Sequence, residues 1–298
     1  FSEVFSAVYT STGLTCAVKK LKYKDLDGEK FTLFLRELDI LSKCNHSYLL
    51  GFLGFTTKRP YIVVTEYLPG GSLYYALRWK DRTLAGTQKT IIAMCVANGL
   101  ARLFKLNIIH RDLKSLNILL DRDLPRIIDF GLSKQLDDSD DLMTRSVGTP
   151  HWMAPELFEE VKYTYKVDVY AYGMLLWEML TNSTPFRGKS SAQIMYEVVD
   201  KQKRPPIPLR TPSALKALIN QCWAQDPNER PTFKKIYSAF ANNKVAFDGT
   251  NRDDVAAVVT KTKLAKKAAK NRMHEVVSTT PGSLTMKGGI IDSSEAQD

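Results

Sequence analysis

The sequence predicts an α+β protein of two lobes, a small antiparallel β lobe with one helix followed by a larger, mostly helical lobe. Three observations predict it. Short β-like runs surround a single helical segment in the first sixty-odd residues, Pro69-Gly70-Gly71 interrupts the chain, and most of the chain beyond that break has helical spacing. The lobes are placed at residues 1–68 and 69–242, and residues 243–298 form a basic tail, partly helical and then disordered.

Val4 and Val8, then Cys16-Ala17-Val18, mark two strands around a turn at Ser11-Thr12-Gly13. From Phe31 the apolar residues Phe31, Phe34, Leu35, Leu38 and Leu41 recur at three and four, an amphipathic helix with Glu37 on the border of its apolar stripe. Strand-like runs follow around Leu49 to Phe55 and Tyr61 to Thr65. Beyond the break, Ile91 to Phe104 forms one long helix. Val167 to Leu180 is too apolar for a surface helix and belongs at the centre of the second lobe, where Asp168 would need partners. Further helices are placed at 191–200, 213–223 and 232–242. In the tail, six basic and no acidic residues lie between Lys261 and Arg272, beside a thin apolar edge of Val255, Val258, Val259 and Ala265. A solvated helix or helix-prone linker fits this pattern better than a membrane-surface or partner-binding helix. From Ser278 onward Ser, Thr, Gly and Pro dominate, and disorder is expected.

A chain of 298 residues with 44% hydrophobic and 25% charged residues can bury a full core, which excludes collagen, coiled coil and wholesale disorder. No apolar run is long enough to span a membrane. The chain opens at Phe1 with neither Met nor a signal-peptide pattern, so missing upstream residues and a cytoplasmic location are expected. Cys16, Cys44, Cys95 and Cys222 form no C-x-x-C pair and are expected as free thiols rather than zinc ligands or a redox motif. The net charge of +10 resides mostly in residues 1–240, since the tail holds nine basic against seven acidic residues. Positive charge spread this way favours polyanions such as nucleotides. No recognition motif accompanies it, so no nucleic-acid partner is expected.

Residues 110 to 117 read His-Arg-Asp-Leu-Lys-Ser-Leu-Asn and match every fixed letter of H-R-D-L-x-x-x-N. Asp129-Phe130-Gly131 begins twelve residues after Asn117, and Ala154-Pro155-Glu156 follows. Asp112 is a carboxylate able to orient a hydroxyl and take its proton, and Asn117 and Asp129 are hard oxygen donors suited to Mg2+. Taken singly, each is an ordinary loop or cap residue; order and spacing make them a set. On these residues the chain resembles the eukaryotic protein kinases over residues 1 to about 240. The block from Gly148 to Glu156 is similar to their tyrosine-kinase-like serine/threonine group. The resemblance implies a two-lobed protein-kinase-like fold, ATP and Mg2+ as cofactors, and transfer of the γ-phosphate to Ser or Thr of protein substrates. A tyrosine or dual-specificity kinase and a pseudokinase or binding module are the alternatives.

The resemblance also implies individual roles. Lys114 would bridge toward the γ-phosphate and Thr149 would fix Lys114 and Asp112, both features of Ser/Thr specificity. Cys16-Ala17-Val18-Lys19 stands in place of V-A-I-K, so Lys19 would hold the α- and β-phosphates with Glu37 as its ion-pair partner. Thr65 would be the gatekeeper, and the backbone of Glu66 and Leu68 would meet the adenine edge while Val4, Ala17 and Leu119 sandwich the ring. Leu41, Phe52, His110 and Phe130 would stack in one apolar column, Glu156 and Arg230 would form a buried ion pair, and Asp168 would anchor the catalytic-loop backbone. The sequence departs from the family at the glycine-rich loop. Val4 aligns with the last letter of G-x-G-x-x-G-x-V, so Ser2 replaces the third glycine and the first two precede residue 1. The first strand and the start of the phosphate loop would be missing, weakening nucleotide affinity. Arg111 before Asp112 implies a phosphate on the activation segment, added by an upstream kinase or by autophosphorylation. Ser133, Ser139, Thr144 and Ser146 are the candidates, with Thr144 or Ser146 favoured over the rest. The run Asp137-Asp138-Ser139-Asp140-Asp141 fits a solvated acidic loop.

Overall fold

The computed structural model describes residues 2–10, 12–21, 28–79, 83–122, 124–135, 148–159, 161–272 and 284–291. Strands β1 (Ser2–Tyr9) and β2 (Leu14–Leu21) form a hairpin in which Val4 faces Lys19 and Ser6 faces Ala17. Helix α1 (Gly28–Lys43) follows, then β3 (Phe52–Phe55) and β4 (Ile62–Glu66). Strand β2 pairs antiparallel with β4, setting Ala17 opposite Thr65 and Lys19 opposite Val63. Directly paired residues share a face, so Val4, Ala17, Lys19, Val63 and Thr65 line one side of the sheet. Ala7, Cys16, Val18 and Val64 form a small separate core on alternate positions. Phe34, Leu38 and Leu41 of α1 join Val63 in the main core, which draws the helix onto the face that carries Lys19. Strand β3 starts at Phe52, later than its apolar run predicts, because Leu49 makes a separate bridge to Ile127.

The second lobe begins with α2 (Leu73–Arg78), capped by Ser72, whose hydroxyl accepts from the Tyr75 N–H, and continues into α3 (Gly86–Lys105). Short strands β5 (Ile108–Ile109), β6 (Ile118–Asp121), β7 (Leu124–Ile127) and β8 (Lys134–Gln135) pair as β5 with β8 and β6 with β7. Helix α4 (Pro155–Phe158) precedes α5 (Lys166–Thr181), which is buried along nearly its whole length as its apolar composition predicts. Helix α6 (Ser191–Met195) runs on as a wider π-turn over Tyr196–Asp200, followed by α7 (Ser213–Cys222) and α8 (Phe233–Ala241).

Two tail expectations are corrected. Helix α9 (Arg252–Arg272) is present, but its first half is docked rather than solvated. Val255 is fully buried, Val258 and Val259 pack on the main core, and α9 lies against α3 and α8; Ala265 stays exposed. Threonines of α3 hold the approach. Thr90 Oγ1 accepts the Phe247 N–H at 2.9 Å and lies 2.8 Å from Thr250 Oγ1, and Thr87 Oγ1 accepts the Asn251 N–H at 2.8 Å. The segment leading into α9 is thus held by hydroxyls of α3, which composition cannot distinguish from solvated ones. The second correction is strand β9 (Leu284–Ile291), which lies within the stretch expected to be disordered. It pairs antiparallel with β1, Val4 facing Ile291 and Tyr9 facing Leu284, and completes the sheet order β3-β4-β2-β1-β9. An open sheet edge offers unpaired N–H and C=O groups to any extended segment, so this pairing leaves little mark on the sequence. A strand leading into a phosphate loop before Val4 would use that same edge.

Candidate active site

The catalytic-loop residues are positioned from below by α5. The backbone N–H groups of His110 and Arg111 donate to the two carboxylate oxygens of Asp168 at 2.8 and 2.9 Å. Burial pushes the Asp168 carboxyl up, and these two N–H bonds pull against it. From this platform the chain turns through Arg111, at φ 67°, into Asp112. Asp112 Oδ1 accepts the Thr149 hydroxyl at 2.7 Å and its N–H at 3.1 Å, while Oδ2 accepts from Asn117 Nδ2 at 2.9 Å. The Lys114 ammonium sits 2.9 Å from Asp112 Oδ2 and donates to Thr149 Oγ1 at 2.7 Å. Asp112, Lys114 and Thr149 therefore form a closed triangle.

Asn117 Nδ2 is committed to Asp112, whose backbone carbonyl it also meets at 2.8 Å, so the amide oxygen is the atom left for a cation. Asp129 sits at φ 63° with its side chain exposed. The missing side chain at Gly131 locates it. A Cβ there would lie 3.3 Å from Asp129 Oδ1 and 3.9 Å from Glu37 Oε2, and Glu37 Oε1 holds the Lys19 ammonium at 2.9 Å. The amine of the first lobe and the carboxylate of the second thus share one cleft. Among the described residues no cluster of three or more His, Cys, Asp or Glu could hold a metal ion by itself. Asn117 and Asp129 offer two hard oxygens, and a divalent cation would complete its shell from phosphate and water, which is the habit of Mg2+. The donor set fits that ion and a phosphate chain beside Lys19.

Just before residues 66–68, the hinge between the lobes, Thr65 lies opposite both Ala17 and Phe52 across β4. The Glu66 N–H donates to Gly51 O at 2.8 Å, and its carboxylate accepts from the Gly51 N–H at 2.7 Å and from Arg126 Nε at 3.1 Å. The Glu66 carbonyl stands outside this exchange with Gly51 and accepts from the Thr65 hydroxyl at 3.4 Å. Leu68 is buried. Leu119 bridges to Ser72 just past the hinge, and Gly70 and Gly71 exchange backbone bonds with Leu120. Val4 and Ala17 thus belong to the sheet face above this point and Leu119 to the lobe below it. The His110 and Phe130 rings meet edge-to-face at 5.5 Å, with Leu41 and Phe130 buried and Phe52 against the same core. Arg230 grips Glu156 with a two-pronged bond at 2.6 and 2.9 Å.

Sequence reasoning missed Arg126 and Glu178. Arg126 reaches Glu66 across sixty residues, and nothing local marks it. Glu178 is a fully buried carboxylate that accepts from Ser115 Oγ at 2.6 Å, Arg78 at 2.8 Å and Trp152 Nε1 at 3.1 Å, so it joins the catalytic loop, α2 and the segment after Thr149. Burial pushes its carboxyl up and these three donors oppose the rise. A second acid inside so apolar a helix was the available signal. The Arg111 guanidinium donates to the Leu132 carbonyl and to the Tyr163 hydroxyl. Ser133 is buried, its hydroxyl 3.4 Å from the His110 carbonyl. Ser139, Thr144, Ser146 and the acidic run around them lie outside the described residues. The four cysteines are free and buried, and burial pushes the Cys44 and Cys95 thiols up to about 12.

Residues 1–240 match the family model described as protein tyrosine and serine/threonine kinase. A probable serine/threonine-protein kinase of Dictyostelium discoideum is 42% identical over 78% of this chain and 26% of its own length. The serine/threonine-protein kinase STY46 of Arabidopsis thaliana is 35% identical over 79% of this chain and 41% of its own length. The dual specificity protein kinase shkB of Dictyostelium discoideum is 34% identical over 86% of this chain and 41% of its own length. The chain thus spans well under half the length of these relatives. Such names agree with the tyrosine-kinase-like character of the Gly148 to Glu156 block. No described helix is long and apolar enough to cross a membrane. Because the match takes in both lobes and every residue that meets in the cleft between them, the chain belongs to the protein tyrosine and serine/threonine kinase family.

Proposed function

We propose that this kinase domain transfers the γ-phosphate of ATP to Ser or Thr hydroxyls of protein substrates. The observation that carries the reading is the closed triangle of Asp112, Lys114 and Thr149. Magnesium-bound ATP supplies the activated phosphoryl group. Asp112 is held with one carboxylate edge set by Thr149 and the other by Asn117 and Lys114, so an incoming hydroxyl meets an acceptor of fixed direction. Lys114 places positive charge beside the transferring group, where it stabilises charge on the phosphate oxygens. The Asn117 amide oxygen and the Asp129 carboxylate hold Mg2+. Lys19, oriented by Glu37, binds the α- and β-phosphates. Val4, Ala17 and Leu119 enclose the adenine, Thr65 borders its inner edge, and the backbone of Glu66 and Leu68 reads its polar edge.

The names of shkB and pyk3, both dual specificity protein kinases, support acceptance of tyrosine as a second reading. The retention of Lys19, Asp112, Asn117 and Asp129 speaks against a pseudokinase. The free thiols favour a reducing, cytoplasmic location, and Arg111 directly before Asp112 supports phosphorylation of the activation segment, in trans by an upstream kinase or in cis. Incubation of the chain with ATP, Mg2+ and a degenerate peptide library, followed by phosphoamino-acid analysis, tests the assignment. Phosphoserine and phosphothreonine are expected. Label on tyrosine alone would overturn the Ser/Thr assignment, and no label beyond that of an Asp112→Asn control would overturn the catalytic one.

A further inference from the structure

We infer that Thr262 of the tail helix and Tyr48 are positioning residues for Asp129, so that the docked tail sets how firmly the metal-binding carboxylate is held. The Tyr48 and Thr262 hydroxyls lie 2.5 Å apart, and both residues are buried. Thr262 donates its one proton to the Val258 carbonyl at 2.8 Å, within its own helix, so Tyr48 must be the donor of the shared bond. Burial pushes the Tyr48 phenol up, which keeps that proton in place, and the Cys95 thiol of α3 meets the same hydroxyl. The bond therefore fixes the tail helix, the turn between α1 and β3, and α3 at one point.

The main chain of Tyr48 carries this constraint to the cleft. Its carbonyl accepts the Ile127 N–H at 3.0 Å, and the Ile127 carbonyl accepts the Leu50 N–H at 3.0 Å. Ile127 lies two residues before Asp129. Its neighbour Ile128 is tied on the other side to the catalytic loop, donating to Asn117 O at 3.0 Å and accepting from His110 Nε2 at 2.9 Å. The strand that delivers Asp129 is thus clamped between the catalytic loop in front and the Tyr48 turn behind. Packing leaves the turn little room to shift. A Cβ on Gly99 would come within 3.1 Å of the Tyr48 carbonyl and 2.9 Å of Ile127 Cδ1. The Tyr48 turn also lies a few residues beyond α1, which carries Glu37. Nothing else in the tail reaches so near the metal-binding strand among the hydrogen bonds described.

The test compares wild type, Thr262→Val, Thr262→Ser and Tyr48→Phe in the full chain. Amide hydrogen exchange without nucleotide is read at residues 127–129, and binding of Mg·ATP and of adenosine is measured by calorimetry. Thr262→Val and Tyr48→Phe should each speed exchange at the Ile127 amide about tenfold and weaken Mg·ATP by about three- to tenfold, with adenosine affinity unchanged. Thr262→Ser should restore wild-type values, and combining the two damaging changes should add little to either. Unchanged exchange at Ile127 in Tyr48→Phe, whose ring still packs, would overturn the inference, as would equal losses for Mg·ATP and adenosine. The binding arm rests on Asp129 as a metal ligand. Failure of wild type to prefer Mg·ATP over adenosine would sink that assignment, while the exchange arm still decides the mechanical claim by itself.

Discussion

In the helical lobe, Asp112 is 8% exposed and its two carboxylate oxygens are held by Thr149, Asn117 and Lys114. In the β lobe, Lys19 rests on one ion pair with Glu37, and a third of its side chain remains in water. The same contrast runs through the supports. The catalytic loop hangs from the buried carboxylates of Asp168 and Glu178, with the Glu156–Arg230 pair close behind the following segment. The sheet that carries Lys19 has only a small core of its own, built from Ala7, Cys16, Val18 and Val64. The half that carries Asp112 is held by buried bonds, and low-dielectric burial makes each of them expensive to leave unmade. The half that carries Lys19 leans on a partly solvated ion pair, which can be lost at little cost.

Several substitutions test how far this contrast holds. Asp112→Asn removes the proton acceptor, and phosphate transfer to peptide should fall by about 10²–10⁴-fold. The amide also meets donors that the carboxylate satisfied, so urea unfolding should show a loss of about 1–3 kcal/mol; transfer retained near the wild-type rate would mean that Asp112 is not the acceptor. Glu156→Gln leaves the Arg230 guanidinium buried without its counter-charge, and urea unfolding should show a loss of about 3–5 kcal/mol. Glu37→Gln lies at the other extreme of support. It should cost under about 1 kcal/mol of stability, yet raise the KM for ATP by roughly tenfold as Lys19 loses its orientation. Similar unfolding losses for the Glu156 and Glu37 variants would erase the distinction between the halves.

The smallest effect concerns pH. Burial holds His151 below the ordinary imidazole value of 6.5, so as pH falls through 6.5 the unfolded chain takes up this proton before the folded one does. Stability that is fully present above pH 6.5 is therefore lost as the pH drops toward the folded value. His151→Gln should flatten that part of the profile of thermal midpoint against pH. A profile identical to wild type would remove His151 as its source.

Much of this molecule is written locally. The helical period from Phe31, the apolar run through α5, and the spacing of His110 to Asn117 against Asp129 each lie within a short window. They reflect constraints that neighbouring residues satisfy together. Thus α1, α5 and the polar residues of the cleft were legible in advance, as was the need of Asp168 for partners. Strands of two residues such as β5 and β8 have no period to read, and the start of β3 was misplaced because Leu49 is apolar for another strand's sake.

Folding alone decided the contacts that join distant stretches through ordinary residue types. Arg126 behind Glu66, Glu178 beneath Trp152 and Thr262 on Tyr48 are charged or hydroxyl side chains of the kind that usually meet water. Their sequence neighbourhoods give no sign of the partner. The tail shows the limit most clearly, since its threonine-rich docking and the pairing of β9 on β1 depend on hydrogen bonds to surfaces that exist only once α3 and the sheet have formed. Residue type and spacing determined the chemistry available to this protein, and the packing of remote segments determined which of those groups are held still.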